Sequence, residues 1–438
     1  MQKIEKTIIC LQFAILCIVC SGKGIAAVYA AGAESSASPA AEMSLDQFVK
    51  TAMQKNPGLM EKKARYESLR SKVIGAWLPD DPEIGTTVEG QSHLFDFNSR
   101  MDLKYMAEQK IPFPTKLFLK GLAASKEADG AYQEYKEEER NLVWHMEKPY
   151  YELLLARSTS RVLEENKVLL DQLIKAVKAR YESNQSPQSD LLKAQIELSK
   201  NELEMFDWKQ KEHIAEAHFS HLLNQSLNTR YAISEKIDKT TFIAKYEELE
   251  ATAIKNRPEL KALDIAIERA KVNRSLINSE WLPDFTARYE SKQFKGEGSI
   301  REHDTFIGVT VPFWSVLKGI GGVWTSSDRE VKEAEALYIK MKNEVFLAIH
   351  EAYAKAQSAQ NAISIFENSI LPQAKQQVEV ALSSYEAGKS DFMSLIDAER
   401  TLKETQIRFY RYSTELQIAL SELRFVLGGD IKEIVEVL

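Results

Sequence analysis

Hydrophobic positions recur along this chain with two periods, and its elements change where one period gives way to the other. Phe285, Ala287 and Tyr289 alternate with Thr286, Arg288 and Glu290, while Met101, Leu103, Tyr105 and Ala107 alternate with Asp102, Lys104 and Met106. Period two with one apolar side predicts strands. Elsewhere the spacing is helical. Two stretches, about residues 117 to 183 and 325 to 387, would each span on the order of 100 Å as helices. Pro149 lies inside the first and Pro372 inside the second. A proline there costs about 3 kcal/mol unless a kink takes it up, so a bend is expected at each.

Polar turns at 184 to 189 and 388 to 390 reverse the chain, and a second helix returns from each. The later return helix keeps a seven-residue rhythm: Leu395, Leu402, Phe409, Leu416 and Leu423 at one position, Ala398, Thr405, Tyr412, Ala419 and Val426 at the other. That is a coiled-coil seam. The earlier one carries the same seam with polar interruptions at Asn201 and Glu212.

The recurrence reflects an internal duplication. Trp-Leu-Pro-Asp occurs at 77 to 80 and again at 281 to 284, and the same offset of 204 residues places Tyr181 on Tyr385, Ala194 on Ala398 and Leu223 on Leu427. The register slips around the strands, where Ile111-Pro112-Phe113 faces Val311-Pro312-Phe313, and upstream, where Asn56-Pro57 faces Asn256-Arg257-Pro258. The expected organisation is a signal peptide over 1–30, a flexible linker over 31–44, a first repeat over 45–230, an inter-repeat linker over 231–245 and a second repeat over 246–438. Each repeat opens with a short helix (about 45 to 55, and 246 to 256), then runs helically to its Trp-Leu-Pro. Each also carries a β-hairpin with polar loops at 90 to 99 and 292 to 302. Four strands cannot close a barrel; three chains would bring twelve, which can.

Composition narrows the setting. A charged fraction of 28%, few glycines and prolines, and a formal net charge of −7 suit long amphipathic helices and give no basic footprint for nucleic acid. Lys3 and Lys6 precede an apolar run from Thr7 to Cys20, and Val28-Tyr29-Ala30 supplies a cleavage site of secretory type. A lipoprotein signal is the minor alternative, since Cys17-Ile18-Val19-Cys20 is bulky where acylated signals are small. Cys10, Cys17 and Cys20 are the only cysteines, so a cleaved chain would hold neither disulfides nor thiolate metal sites. No later stretch is apolar enough for a transmembrane helix. A membrane location would therefore require a closed barrel, which points to a Gram-negative envelope.

Candidate chemistry is sparse. His213, His218 and His221 are spaced by 5 and 3, so only the last pair shares a helical face, and a solvated face outweighs a metal site there. Gly319, Gly321 and Gly322 lack the following Lys-Ser/Thr of a phosphate loop and read as a bend between strands and helix. No nucleophile-elbow or zinc-protease pattern is present. No enzyme activity, cofactor or metal ligand is expected.

The paired "WLP", "NPGLMEKKARYE", "VTVPFWSVLKGIGG" and "ILPQAKQQVEVALSSYEAGKSDFMSLIDAERTLKE" resemble the TolC-type outer-membrane efflux channels across nearly all of the chain past the signal peptide. The sharpest piece is Tyr385-x-x-Gly388 followed by Leu395, Asp397 and Ala398. The resemblance implies a mainly α fold with a small β part, in which a homotrimer closes a 12-stranded outer-membrane barrel above an α-helical tunnel across the periplasm. It further implies a passive conduit of a tripartite efflux or type I secretion system. An inner-membrane pump, of RND type, would supply it through a periplasmic adaptor (membrane fusion protein), with outer-membrane lipid around the barrel. "QKIPFPTKL" and "TVPFWSVLKG" are most similar to the branch serving heavy-metal efflux.

On this resemblance the gate and pore residues are Tyr385, Lys389, Asp190, Asp391 and Asp397. Family members link a tyrosine, a basic residue and aspartates near the turn. Tyr385 and Asp190 match, but Ser390 occupies the basic position, leaving Lys389 as its substitute. Asp397 would form a carboxylate ring under threefold symmetry. The adaptor-contact turns comprise Asn184, Ser186 and Pro187 in the first repeat and Gly388 and Ser390 in the second. Asn184 and Pro187 depart from the family pattern, so adaptor contact is expected to differ between the turns. The competing expectation is a secreted or periplasmic structural coiled-coil protein without a pore, which would have no need of paired amphipathic hairpins. A soluble adaptor would instead show a lipoyl-like β domain and one hairpin unit.

Overall fold

A computed structural model of the chain describes residues 44–89, 102–233, 240–242, 246–294, 300, 302–429 and 435–437. The expected signal peptide, nearly all of the N-terminal linker, the loop at 90 to 99 and most of the inter-repeat linker lie outside them.

Each repeat begins with two helices set end to end. In the first, α1 (Leu45–Lys55) and α2 (Pro57–Ala76) meet at Asn56, whose carboxamide accepts from the Leu59 N–H at 3.1 Å and donates to the Leu222 carbonyl at 3.0 Å. The sheet strands β1 (Glu83–Glu89) and β2 (Asp102–Ile111) follow. Then come the outgoing helix α3 (Pro114–Glu182) and the return helix α4 (Gln188–Leu222). The short strand β3 (Thr240–Phe242) leads into the second repeat: α5 (Tyr246–Asn256), α6 (Pro258–Ser279), β4 (Asp284–Phe294) and β5 (Glu302–Thr310). Its outgoing arm is built from α7 (Phe313–Lys318), α8 (Trp324–Ile365) and α9 (Leu371–Glu386), and α10 (Phe392–Leu427) returns. Strand β6 (Val435–Val437) pairs antiparallel with β3.

The duplication is visible in the packing. Phe48, Leu59, Met146, Leu153, Phe219 and Leu223 form one core beside the first repeat's short helices, and Leu249, Leu260, Ile349, Ala352, Leu423 and Leu427 form its counterpart. The extra residue Arg257 does the work of Asn56 by another route. Its guanidinium reaches the Val426 carbonyl at 3.4 Å, and Val426 lies 204 residues after Leu222. At Asn201 the first seam's polar interruption is satisfied: its side chain donates to the Leu163 carbonyl at 2.9 Å and accepts from Asn166 at 3.1 Å.

The expected bends resolve differently at the two prolines. Before Pro372 a π-helical turn, Phe366–Ile370, widens the helix and absorbs the missing N–H. No break occurs at Pro149: α3 runs unbroken from end to end, with the proline buried beside the first core. The Gly-rich stretch also forms a π turn, Gly319–Val323, where Gly322 at φ 125° turns the chain from α7 into α8.

Candidate functional site

The four long strands form one antiparallel sheet in the order β1-β2-β4-β5. Its register sorts the side chains by chemistry. Ile84, Ala107 and Tyr289 stand side by side across three strands, as do Gln109, Ala287 and Ile307, and Ile111, Phe285 and Val309; Leu103 and Tyr105 lie on the same face. This side is largely apolar but also carries Gln109, Gln293, His303 and a few short polar groups, and much of it is bare: Ile84 is 84% exposed and Ile307 79%. The opposite face carries Lys104, Glu108, Arg288, Glu290, Lys292 and Asp304. Its charges interlock. Arg288 meets Glu108 at 2.7 Å and Glu290 at 3.5 Å, Lys292 meets Asp304 at 2.7 Å, and Lys104 pairs with Glu89. Strands β1 and β5 each have a neighbour on one side only among the described residues.

At the far ends of the long helices lie the two turns. Asn184 adopts φ 58° and Gly388 φ 68°, both left-handed. The hydrogen bonds match residue for residue: Asn184 N–H to the Tyr181 carbonyl and Gly388 N–H to that of Tyr385, each 3.0 Å, then Gln185 to Arg180 at 2.8 Å and Lys389 to Ser384 at 2.9 Å. Asn tolerates this conformation, so Asn184 stands where the second repeat has Gly388 with the turn's backbone intact.

Their side chains differ. Asp391 caps α10 by accepting from the Ser394 N–H at 3.2 Å and from the Ser394 hydroxyl, bonds that hold its carboxyl below the usual range. Pro187 occupies the matching position before α4 with nothing to offer. Asp190 instead turns inward on its own loop, accepting from Ser186 at 3.1 Å and Ser189 at 3.4 Å and meeting Lys193 at 3.7 Å.

Tyr385 is buried within the chain. It sits with Leu170, Leu173, Val177, Phe392, Leu395 and Ile396 in a core shared by both hairpins, its ring 5.6 Å from that of Phe392. The cation against it is Arg180, whose guanidinium stands 4.7 Å from the ring centroid and donates to the Tyr385 carbonyl at 2.7 Å. Within one chain the structure does not join Tyr385, Lys389 and Asp190. Lys389 is exposed and has no side-chain partner among the described residues, and the Ser390 hydroxyl is buried without one. Sequence reasoning missed Arg180, although it directly precedes Tyr181, the repeat equivalent of Tyr385.

Asp397 is exposed and held at 3.3 Å by Arg400, which bridges to the buried Glu197 of α4 at 2.7 Å. Arg400, its hydrogen-bond donor, keeps the Glu197 carboxyl low. Beside this bridge Glu399 is buried without a cation, and burial, aided by the charge of Glu197, pushes it up to about 7. One turn on, the buried Lys403 meets Glu204 at 3.2 Å. His213 lies 3.5 Å from Glu216. No cluster of three or more His, Cys, Asp or Glu side chains is placed to hold a metal among the described residues, and no described helix is long and apolar enough to cross a membrane.

Residues 249–429 match the sequence pattern of the outer membrane efflux protein family. Cobalt-zinc-cadmium resistance protein CzcC of Cupriavidus metallidurans is 23% identical over 184 residues, which are 41% of this chain and 42% of that protein. The chain thus aligns with about two fifths of the length of that curated relative. Among solved structures, the outer membrane protein VceC of Vibrio cholerae superposes with a TM-score of 0.74 at 17% identity, covering 89% of this chain and 97% of that one. CusC gives 0.76 at 14% (88% and 92%), and the open state of the outer membrane channel MtrE of Neisseria gonorrhoeae gives 0.72 at 14% (88% and 89%). The solved structures share the long-helix fold with its small sheet, and residues 249–429, which span nearly all of the second repeat, are similar in sequence to the outer membrane efflux proteins.

Proposed function

We propose that three copies of this chain close a twelve-stranded barrel in the outer membrane and act as the passive exit conduit of a tripartite efflux or type I secretion system. The observation that carries this reading is the two-faced sheet with open edges. An exposed apolar face is costly in water and favourable in lipid, a charged face suits a water-filled lumen, and unpaired edges call for further strands. The structural coiled-coil alternative gives the sheet no task.

Cargo would come from an inner-membrane pump, of RND type, through a periplasmic adaptor docking at the turns Asn184 to Ser189 and Gly388 to Asp391. Heavy-metal cations are the cargo class proposed, because the curated relative similar to about two fifths of the chain is a cobalt-zinc-cadmium resistance protein. In the gate proposed here, Arg180 takes the part first expected of Lys389 at Tyr385. Lys389, Asp190 and Asp391 face neighbouring hairpins, and Asp397 contributes a carboxylate ring.

Native mass measurement of detergent-extracted outer membranes and planar-bilayer recording test the core of the reading. A trimer with discrete conductance steps is expected; a water-soluble monomer without conductance would refute it. Deleting the gene should raise cellular cobalt, zinc or cadmium. Sensitivity confined to organic toxins would overturn the cargo class and leave the conduit standing.

A further inference from the structure

The two repeats share a glycine at the foot of the sheet and cover it differently. Leu119-Lys120-Gly121 on α3 recurs as Leu317-Lys318-Gly319 where α7 ends. A Cβ added at Gly121 would come 2.3 Å from the indole of Trp77, so that ring lies against the glycine, with Phe118 edge-on to it at 5.4 Å. Trp281 is the second repeat's equivalent of Trp77, yet Gly319 is covered by another indole, that of Trp324, again 2.3 Å from an added Cβ. The first repeat has no tryptophan between Gly121 and Trp144 to do this.

Trp281 is thereby displaced. It is 55% exposed against 38% for Trp77, and no aromatic ring packs on it among the described residues. With Trp324, Val316, Asn278 and Asp328 it walls a cavity of 570 Å³, a volume suited to a small ligand or a lipid headgroup. Only two of these five residues are polar. Asp328 is the one charged residue among them, and Arg274 touches it at 3.3 Å through a single carboxylate oxygen.

We propose that this cavity binds the ammonium headgroup of an aminophospholipid of the inner leaflet, against the indoles of Trp281 and Trp324 and beside the carboxylate of Asp328. This rests on the proposed lipid setting of the sheet and adds a ligand to it. Indole faces attract a cation, most strongly where water is excluded, and a carboxylate adds a charged acceptor. An anionic group would meet Asp328 as its one charged neighbour on the wall. The cavity's place makes a lipid the carrier of the cation, since Trp281 lies just before β4 begins and Val316 just after β5 ends. Val311 continues the apolar alternation of Ile307 and Val309, and Val311, Phe313, Trp314 and Ile320 are all strongly exposed. An acyl chain leaving the cavity would lie on this surface, at the edge of the apolar band where barrel proteins carry aromatic residues.

Lipid binding to the purified full-length protein, stripped of its own lipid in detergent and followed by native mass spectrometry, tests the site. Dioleoylphosphatidylethanolamine is titrated beside its N-acetyl derivative, which keeps the chains and the phosphate without the ammonium. Dodecylammonium, which keeps the ammonium without the phosphoglycerol, is the third probe. Saturable binding of the phosphatidylethanolamine is expected, about fivefold or more tighter than the N-acetyl form and about fivefold weaker in Trp281→Leu and in Asp328→Asn. Trp281→Phe should recover part of the affinity, and Trp77→Leu in the first repeat should leave it unchanged. Equal binding of the N-acetyl form, or wild-type affinity in both Trp281→Leu and Asp328→Asn, overturns the site and leaves the conduit reading intact while the protein still conducts. Binding of dodecylammonium alone overturns the lipid as the source of the cation. A wild-type protein that is water-soluble and does not conduct overturns both readings.

Discussion

The two repeats fill the same left-handed positions with different residues. Asn184 and Asn224 end the helices of the first, Gly388 and Gly428 those of the second, and each pair lies 204 residues apart. Equal backbone with unequal chemistry shows that conformation alone does not choose the residue; what lies beside it does. A Cβ at Gly428 would stand 2.6 Å from the backbone nitrogen of Arg257 and 2.7 Å from its Cα. At Gly388 the nearest atom would be the Arg180 guanidinium, at an ordinary 3.7 Å. The residue inserted at 257 therefore explains the glycine at 428, whereas Gly388 is interchangeable with asparagine as far as its own chain is concerned.

Gly428→Asn should break the comparison most severely. Backbone must move to admit any side chain there, and overpacking combined with left-handed strain costs about 3 kcal/mol or more. The reciprocal Asn224→Gly should cost well under about 1 kcal/mol. Thermal unfolding of both in detergent checks the pair, and equal losses would refute the explanation.

Arg257→Ala ranks next. Arg257 is buried, bridges to Glu259 at 2.8 Å and Glu137 at 3.6 Å, and lies 5.2 Å from the Phe425 ring. Removing it strands Glu137, already raised by burial, and a broken buried pair costs about 3 kcal/mol. Asn56→Ala loses a cap and one carbonyl bond, about 1 to 2 kcal/mol. Denaturant titration in detergent should separate them in that order.

Much of this was legible in the sequence and some was not, for physical reasons. The repeat offset, the alternation around Phe285 and Leu103, and the prolines bounding α2 and α6 are local signals, so the elements and the sheet's two faces could be read directly. Arg180 against Tyr385 could not, because it joins residues of different hairpins and no local spacing encodes it. The same holds for Arg257 closing over Gly428. At Pro149 the helix assignment continues through the proline, which is buried beside the first core. At the turns, the sequence marked Tyr385 by its motif, but within one chain its cation partner is Arg180 of the other hairpin.

Glu399 sharpens the comparison through pH. Its repeat equivalent is Gln195, which is exposed, while Glu399 is buried and pushed up to about 7, chiefly by burial. A carboxyl raised above its unfolded value stabilises fully below that unfolded value, near 4.5, and loses the contribution as pH rises toward 7. Glu399→Gln, which copies the first repeat's residue, should therefore flatten stability against pH between about 4.5 and 7 and raise it at pH 8 by about 1 to 2 kcal/mol. Unchanged pH dependence would place the proton elsewhere.

The smallest effect on folding is expected at the turn proposed to meet the adaptor. Gly388→Asn reproduces the first repeat's residue in the same left-handed conformation, has room for its Cβ, and should change stability by no more than about 0.5 kcal/mol. Gly388→Val puts a β-branched residue where φ is positive, at about 1 to 2 kcal/mol, and should distort the turn before it melts the helices. If the second turn meets the adaptor through its backbone shape, Asn should keep adaptor pull-down and efflux near wild type while Val loses most of both, with trimer yield unchanged. If both variants lose adaptor binding equally, the glycine is needed for close approach of the partner and not for its own φ. If neither loses it, the turn has no part in docking. The first outcome would also explain how Asn184 serves the equivalent turn of the first repeat without a glycine.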